Sequence, residues 1–212
     1  LGTVATLIGD IVLPIQPIGF AFPLAGTTYT DVHISDKGYV WLSNGGTPAP
    51  AGADFTATFV EFASQGPRIA PLWADLQTLP ANNGQIYLNS SATRCVITWE
   101  NSRCYSNTCA AFTMQAQLFP SGEVDFFWGP GATNNSTQAA WQFGVCGVSP
   151  GAAAAVPAVD LSAGGTSTAT SLRTALSRSS GVDGPFGSNS ECSSMSNSAN
   201  SSWRTVIMPL WK

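Results

Sequence analysis

Phe112-Thr113-Met114-Gln115-Ala116-Gln117-Leu118, a turn at Pro120-Ser121-Gly122, and Val124-Asp125-Phe126-Phe127-Trp128 decide the fold class. Phe112, Met114, Ala116 and Leu118 alternate with polar residues, and Val124, Phe126 and Trp128 resume the alternation after the turn. A period of two puts one set of side chains on one face of a strand, so this stretch predicts a hairpin with one dry and one wet face. Upstream, Val32 and Ile34 alternate with His33 and Ser35, Ser35-Asp36-Lys37-Gly38 makes a turn, and Tyr39-Val40-Trp41-Leu42 returns. Gly38 supplies the positive φ that such a turn needs. Ile69 to Trp73, Gly84 to Leu88 after an Asn-Asn-Gly turn, and Trp141-Phe143-Val145 add further strand signals. No segment has a long helical period. Many short strands separated by Gly and Pro turns predict an all-β antiparallel β-sandwich.

Composition shifts near residue 150. Ala152 to Ala155 reads as one helical turn before Pro157, and 14 serines follow between Ser162 and Ser202. So few apolar side chains cannot offset the ordering entropy by themselves. The sequence therefore divides into a sandwich over 1–150, a Ser/Gly/Ala-rich loop or linker over 151–202, and an apolar strand over 203–212 that returns to the sheet.

Several of these segments, in order, resemble the nidogen-like extracellular domain and related sandwich modules of bacterial secreted and surface proteins. They are Phe20 to Gly26, Asp31 to Val40, Ile69-Ala70-Pro71-Leu72-Trp73-Ala74-Asp75, Gly84 to Tyr87, Val96 to Asn101, Phe112 to Phe126, and Phe143 to Val145. The family commonly carries Asn where Lys37 stands. The resemblance covers about residues 15 to 150. It implies an extracellular location and an adhesive or structural role, and it brings no known active site.

Charge excludes some classes. Charged residues make up 9 % of the chain and the net charge is −4, against roughly 25 % charged in an average domain. No Lys or Arg lies between residues 104 and 172, so the clustered cations that neutralise phosphates are missing and nucleic acid is not an expected partner. No run of 18 apolar residues predicts insertion into a membrane. A first residue of Leu1 rather than Met fits a mature chain freed of its signal peptide, and equally a fragment.

Five cysteines, Cys95, Cys104, Cys109, Cys146 and Cys192, suit two disulfides and one thiol in an oxidising compartment. Cys104 and Cys109 flank a polar loop and are the favoured local pair, with Cys146 and Cys192 as the other candidates. A single histidine and no CxxC give no metal set. Asp31, Asp36 and Asp75 are oxygen ligands for a calcium site in principle, but without a recognisable loop spacing. Gly147-Val148-Ser149-Pro150-Gly151 matches the G-x-S-x-G elbow of serine hydrolases. Pro150 has no N–H to offer an oxyanion, and His33 precedes the serine in the chain. Glu123 and Asp125 are two apart and could pair as glycosidase carboxylates, though a hairpin's wet face often carries acids. Trp41, Trp73, Trp99, Trp128 and Trp141 fall on strand positions and read as core; Trp203 and Trp211 are candidates for stacking on a sugar ring. Asn89, Asn134, Asn135 and Asn200 head glycosylation sequons.

The sequence thus predicts a secreted, non-catalytic structural or adhesive protein of the cell surface or matrix, one form of which is a self-assembling subunit of a fibre or layer. Its expected partners are copies of itself or other extracellular proteins. A glycan-binding module is the alternative and a hydrolase ranks last. No residue is assigned a catalytic, cofactor or metal role.

Overall fold

The computed structural model describes residues 3–4, 10–45, 53–105, 110–129, 144–151, 159–160, 171–174 and 204–207. The elements in chain order are β1 (Thr3–Val4), β2 (Gln16–Leu24), β3 (Thr27–Ser35), β4 (Tyr39–Ser43), α1 (Phe59–Ser64), β5 (Arg68–Trp73), β6 (Leu76–Gln77), β7 (Gln85–Ser90), β8 (Cys95–Cys104), β9 (Phe112–Leu118), β10 (Val124–Trp128), β11 (Val145–Ser149), β12 (Val159–Asp160), β13 (Ser171–Thr174) and β14 (Arg204–Ile207). They form two sheets. The first runs β1-β7-β8-β9-β10-β13, with β6 also paired to β8; the second runs β12-β14-β11-β5-β4-β3-β2. The all-β sandwich expected from the alternation is what the chain forms.

The hairpin that opened the reading is β9–β10, with Leu118 opposite Val124 and Met114 opposite Trp128. β9 alternates strictly between buried and half-buried residues. Its apolar face meets Val32, Ile34, Val40, Leu42 and Ile69 of the second sheet in one core between the sheets, with Ile97, Trp99 and Phe126. Each such side chain contributes about 1.5–3 kcal/mol on burial. β10 departs from the simple pattern: Asp125 is 5 % exposed while Phe127 is exposed. β13 pairs with β10 and places Arg173 opposite Asp125. The strand therefore lies inside the sheet.

The middle of the second sheet, formed by β4, β5 and β11, is dry on both faces. Val40 and Leu42 face the inter-sheet core, while Tyr39 and Trp41 face away and join Phe62, Ala63, Ala70, Trp73 and Val145 in a second cluster. α1 supplies Phe62 and Ala63 to this outer cluster. It is capped by Thr58, whose Oγ accepts from the Glu61 N–H at 3.1 Å and donates to the Glu61 carboxylate at 2.5 Å. Six residues are too few to show a helical period, which is why the sequence pattern hid this helix.

Within the Ser-rich stretch lie β12 and β13, so part of it is woven into both sheets. β14 pairs with β11 in parallel and with β12 antiparallel. The sandwich is thus antiparallel except at this one junction among the described strands. The helical turn read at Ala152 to Ala155 lies outside the described residues.

Candidate functional site

Two groups of charged side chains are built into this frame. The first surrounds the tip of the β3–β4 hairpin. Asp36, Lys37 and Gly38 connect Ser35 to Tyr39, with Gly38 at φ +81°. The tip is tucked against both sheets. The Trp99 indole N–H donates to the Ser35 carbonyl at 2.8 Å, the Thr78 hydroxyl to the Asp36 carbonyl at 3.3 Å, and the Ala74 N–H to the Lys37 carbonyl at 3.2 Å. A Cβ on residue 38 would overlap the Leu72 carbonyl and press on the Met114 methyl.

Lys37 is 1 % exposed. Its Nζ lies 2.5 Å from Asp10, 3.3 Å from Asp75 and 2.8 Å from the Leu76 carbonyl. Burial pulls its pKa down, but the bond to Asp10 and the fields of Asp36, Asp10 and Asp75 outweigh this and hold it above the usual lysine value. Asp36 is fully buried and accepts the Ile11 N–H at 3.2 Å. Desolvation pushes its pKa up to about 6 despite Lys37 alongside, and desolvation also raises Asp75. A protein ammonium occupies the centre of these carboxylates. Asp31 does not join them: it sits midway along β3, accepting from Thr30 Oγ and the Gly45 N–H. Five residues of strand separate Asp31 from Asp36, about 17 Å. Among the described residues no cluster of three potential ligands is close enough to hold a metal.

The second group lies on the outer face of the second sheet. Strand register places His33 opposite Trp41, Trp41 opposite Arg68, and Arg68 opposite Ser149. Four strands thus contribute one row, and residues paired across a sheet share a face. Arg68 is fully buried. Its guanidinium carbon stands 3.6 Å from the Trp41 ring centre, 4.3 Å from that of Trp73 and 5.3 Å from that of Tyr39. Its Nη2 donates to Gln65 Oε1. Desolvation lowers its pKa to about 10. The row also decides the elbow motif. His33 and Ser149 lie three strand spacings apart, about 14 Å, with Trp41 and Arg68 between them. Ser149 is fully buried, and its Oγ accepts the Gly151 N–H at 3.0 Å, so Gly147 to Gly151 is the end of core strand β11 and the bend that leaves it.

Sequence reasoning missed Lys37 and Arg68 as organising groups. A lysine at a hairpin tip reads as solvated. The available signal for Arg68 was Tyr39 and Trp41 alternating with Val40 and Leu42, since large apolar residues on both faces mean that neither is wet.

Of the tryptophans read as core, Trp73 and Trp99 are fully buried and Trp41 nearly so. Trp128 is half-buried and donates to the Pro71 carbonyl at 3.1 Å. Trp73 and Trp41 belong to the outer cluster rather than the inter-sheet core. Trp141, Trp203 and Trp211 lie outside the described residues. So do Cys109, Cys192, Asn134, Asn135 and Asn200. Asn89 is exposed on β7. Glu123 lies just before β10 and accepts from Ser121 Oγ at 3.0 Å; Asp125 beside it is buried, so the two do not form an open carboxylate pair. Cys104 is disulfide-bonded. Cys146 is buried against the inter-sheet core. Cys95 is a buried thiol whose pKa burial pushes up to about 11.

Both charged groups serve to hold strands and turns in place, and together with the two sheets they define a β-sandwich module. The chain belongs to the NIDO-related family, whose model matches residues 2–184. That match reaches past residue 150 into the Ser-rich stretch, and the family marks an extracellular domain. No curated protein and no solved structure matched the chain. No helix among the described residues is long and apolar enough to cross a membrane.

Proposed function

We propose that the chain acts as a non-catalytic structural or adhesive module outside the cell, working through its surface. The observation that carries this reading is the family match over residues 2–184, which gives most of the sequence to one extracellular sandwich. The fate of the ionisable groups supports it. Lys37 with its carboxylates fastens a hairpin tip, and the two residues a hydrolase would need are buried and about 14 Å apart. A surface poor in charge lowers the desolvation cost of packing against a partner or a second copy.

Assembly, in this reading, runs through faces rather than exchanged terminal strands. β1 pairs with β7, and β14 lies between β11 and β12, so both end strands are engaged within the chain. β2, at one end of the second sheet, carries Pro17 and Pro23 and a register shift between Pro17 and Phe22. Proline lacks the N–H that strand addition requires, and bulges twist an edge away from a neighbour.

The test is electron microscopy and sedimentation of the purified protein, with a turnover screen on esters and glycosides. Fibres, layers or concentration-dependent species without turnover are the expected result. Turnover abolished by Ser149→Ala or His33→Ala would overturn the proposal.

A further inference from the structure

We propose that the outer face of the second sheet carries a binding site for a carboxylate group, built from hydrogen-bond donors on Arg68, Trp41 and Ser43. Four polar atoms on these residues are buried without a hydrogen-bond partner: Arg68 Nε and Nη1, Trp41 Nε1 and Ser43 Oγ. Trp41 and Ser43 are two apart on β4 and so share its outer face; Arg68 stands opposite Trp41 on β5. Three of the four atoms are nitrogen donors and the fourth is a hydroxyl that can donate. An orphaned buried donor is costly, and native proteins retain few of them. Their placement on neighbouring residues of one sheet face, all needing an acceptor, points to an acceptor-only ligand. A carboxylate has two oxygens with about four lone-pair directions and no proton to place.

Shape narrows the class further. The guanidinium lies close to two indole rings, at 3.6 and 4.3 Å from their centres, so its unpartnered Nε and Nη1 donors are directed along its edges rather than its faces. A planar carboxylate suits donors arranged along that edge better than a tetrahedral anion, and planar recognition of this kind is what arginine does best. Among the described residues, the nearby acids do not supply its acceptor. The fields of Asp54 and Glu61 reach Arg68, but Glu61 is bonded to Thr58 and Asp54 to the Thr56 N–H, and neither carboxylate lies within 4.0 Å of the guanidinium nitrogens. The route from solvent is marked by Gln65. This residue is exposed, yet its side-chain carbonyl oxygen reaches the buried Arg68 Nη2. A neutral oxygen from the surface thus holds the place of a carboxylate oxygen, and one side-chain rotation would release it.

The experiment uses the full 15N-labelled chain and follows the Arg68 Nε–H and Trp41 indole N–H resonances by NMR. The probes are acetate, N-acetylglycine and N-acetylglycinamide, each against chloride at equal ionic strength. Saturable shifts of both resonances with acetate or N-acetylglycine, and none with the amide, are expected. A response to N-acetylglycine alone assigns the site to a peptide carboxylate, and a response to acetate alone to a small free acid; either supports the proposal. Trp41→Phe keeps a ring over the guanidinium but removes one donor, and should weaken binding about fivefold, the equivalent of one neutral hydrogen bond. Gln65→Ala removes the competing oxygen and should tighten binding, which a purely structural role for Arg68 would not produce. Equal shifts with chloride, non-saturating shifts, or unchanged affinity in both variants would overturn the proposal.

Discussion

Replacing Lys37 with Met removes a charge from the interior while keeping a chain of similar length. The 3.3 Å contact with Asp75 corresponds to a gross attraction of about 5 kcal/mol at an effective dielectric of about 20. Desolvation of both groups offsets part of that. The cost of the substitution is set by what remains: an Asp75 carboxylate only 8 % exposed with no counter-charge, and a Leu76 carbonyl without its donor. Removing one partner of a buried pair costs about 3–5 kcal/mol, and Lys37→Met should fall in that range. Asp10 offers a contrast. Its carboxylate is closer to Nζ, at 2.5 Å, but 66 % exposed, so water screens it and Asp10→Ala should cost less than about 1 kcal/mol. Urea denaturation near neutral pH measures both. The Lys37→Met deficit should shrink in acid, where Asp75 is protonated, and Lys37→Met with Asp75→Asn should recover at least about 1 kcal/mol. A Lys37→Met variant within about 1 kcal/mol of wild type, or an Asp10→Ala variant equally damaged, would refute the reasoning.

Asp36 holds its proton more tightly in the folded chain, near pH 6, than in the unfolded one, near 3.8. Its contribution to stability is therefore full below the lower value and is lost as pH rises through about 4 to 6, by about 3 kcal/mol in total. The difference in urea midpoint between wild type and Asp36→Asn should slope accordingly across that window; a flat difference contradicts the assignment. Gly38→Ala combines a positive φ with overlap on the Leu72 carbonyl and should cost about 3 kcal/mol or more, so a thermal midpoint within experimental error of wild type would show that the tip is not wedged. The Cys95 thiol, with a pKa about two units above its ordinary value of 9.0, should alkylate at least about 100-fold more slowly than free cysteine near pH 8. Fast labelling of native protein, located by peptide mapping, would disprove its burial.

The sheets were legible because β9, β4 and β5 carry their apolar residues at strand spacing with turn residues between them. What the spacing could not supply was the company each strand keeps. His33, Ser35 and Asp125 read as residues of a polar face, yet all three are buried; Ser35 lies at the tucked hairpin tip beneath Trp99, and β13 comes from elsewhere in the chain to pair along β10 beside Asp125. The Thr58-x-x-Glu61 signature was the one local sign of α1. Lys37 and Arg68 were passed over because a lone cation in a strand-rich sequence is ordinarily solvated, and their partners are distant in sequence: Asp75 lies 38 residues from Lys37, and Tyr39 and Trp41 of the aromatic box lie on β4, a different strand from Arg68. The proposed pairing of Cys104 with Cys109 still rests on their closeness in sequence.

The position of β14 between β11 and β12 sets a timetable for folding. β11 begins at Val145 and its parallel neighbour begins at Arg204, so tens of residues must emerge before that ladder can zip. The hairpins β3–β4 and β9–β10 close short loops and can form early. Long-range parallel pairing is slow by comparison, because loop-closure entropy is spent before any contact repays it. A chain crossing a membrane or leaving a ribosome from its first residue onward would carry a nearly finished sandwich with β11 unpaired on one side. That unpaired backbone is the species a chaperone would need to shield.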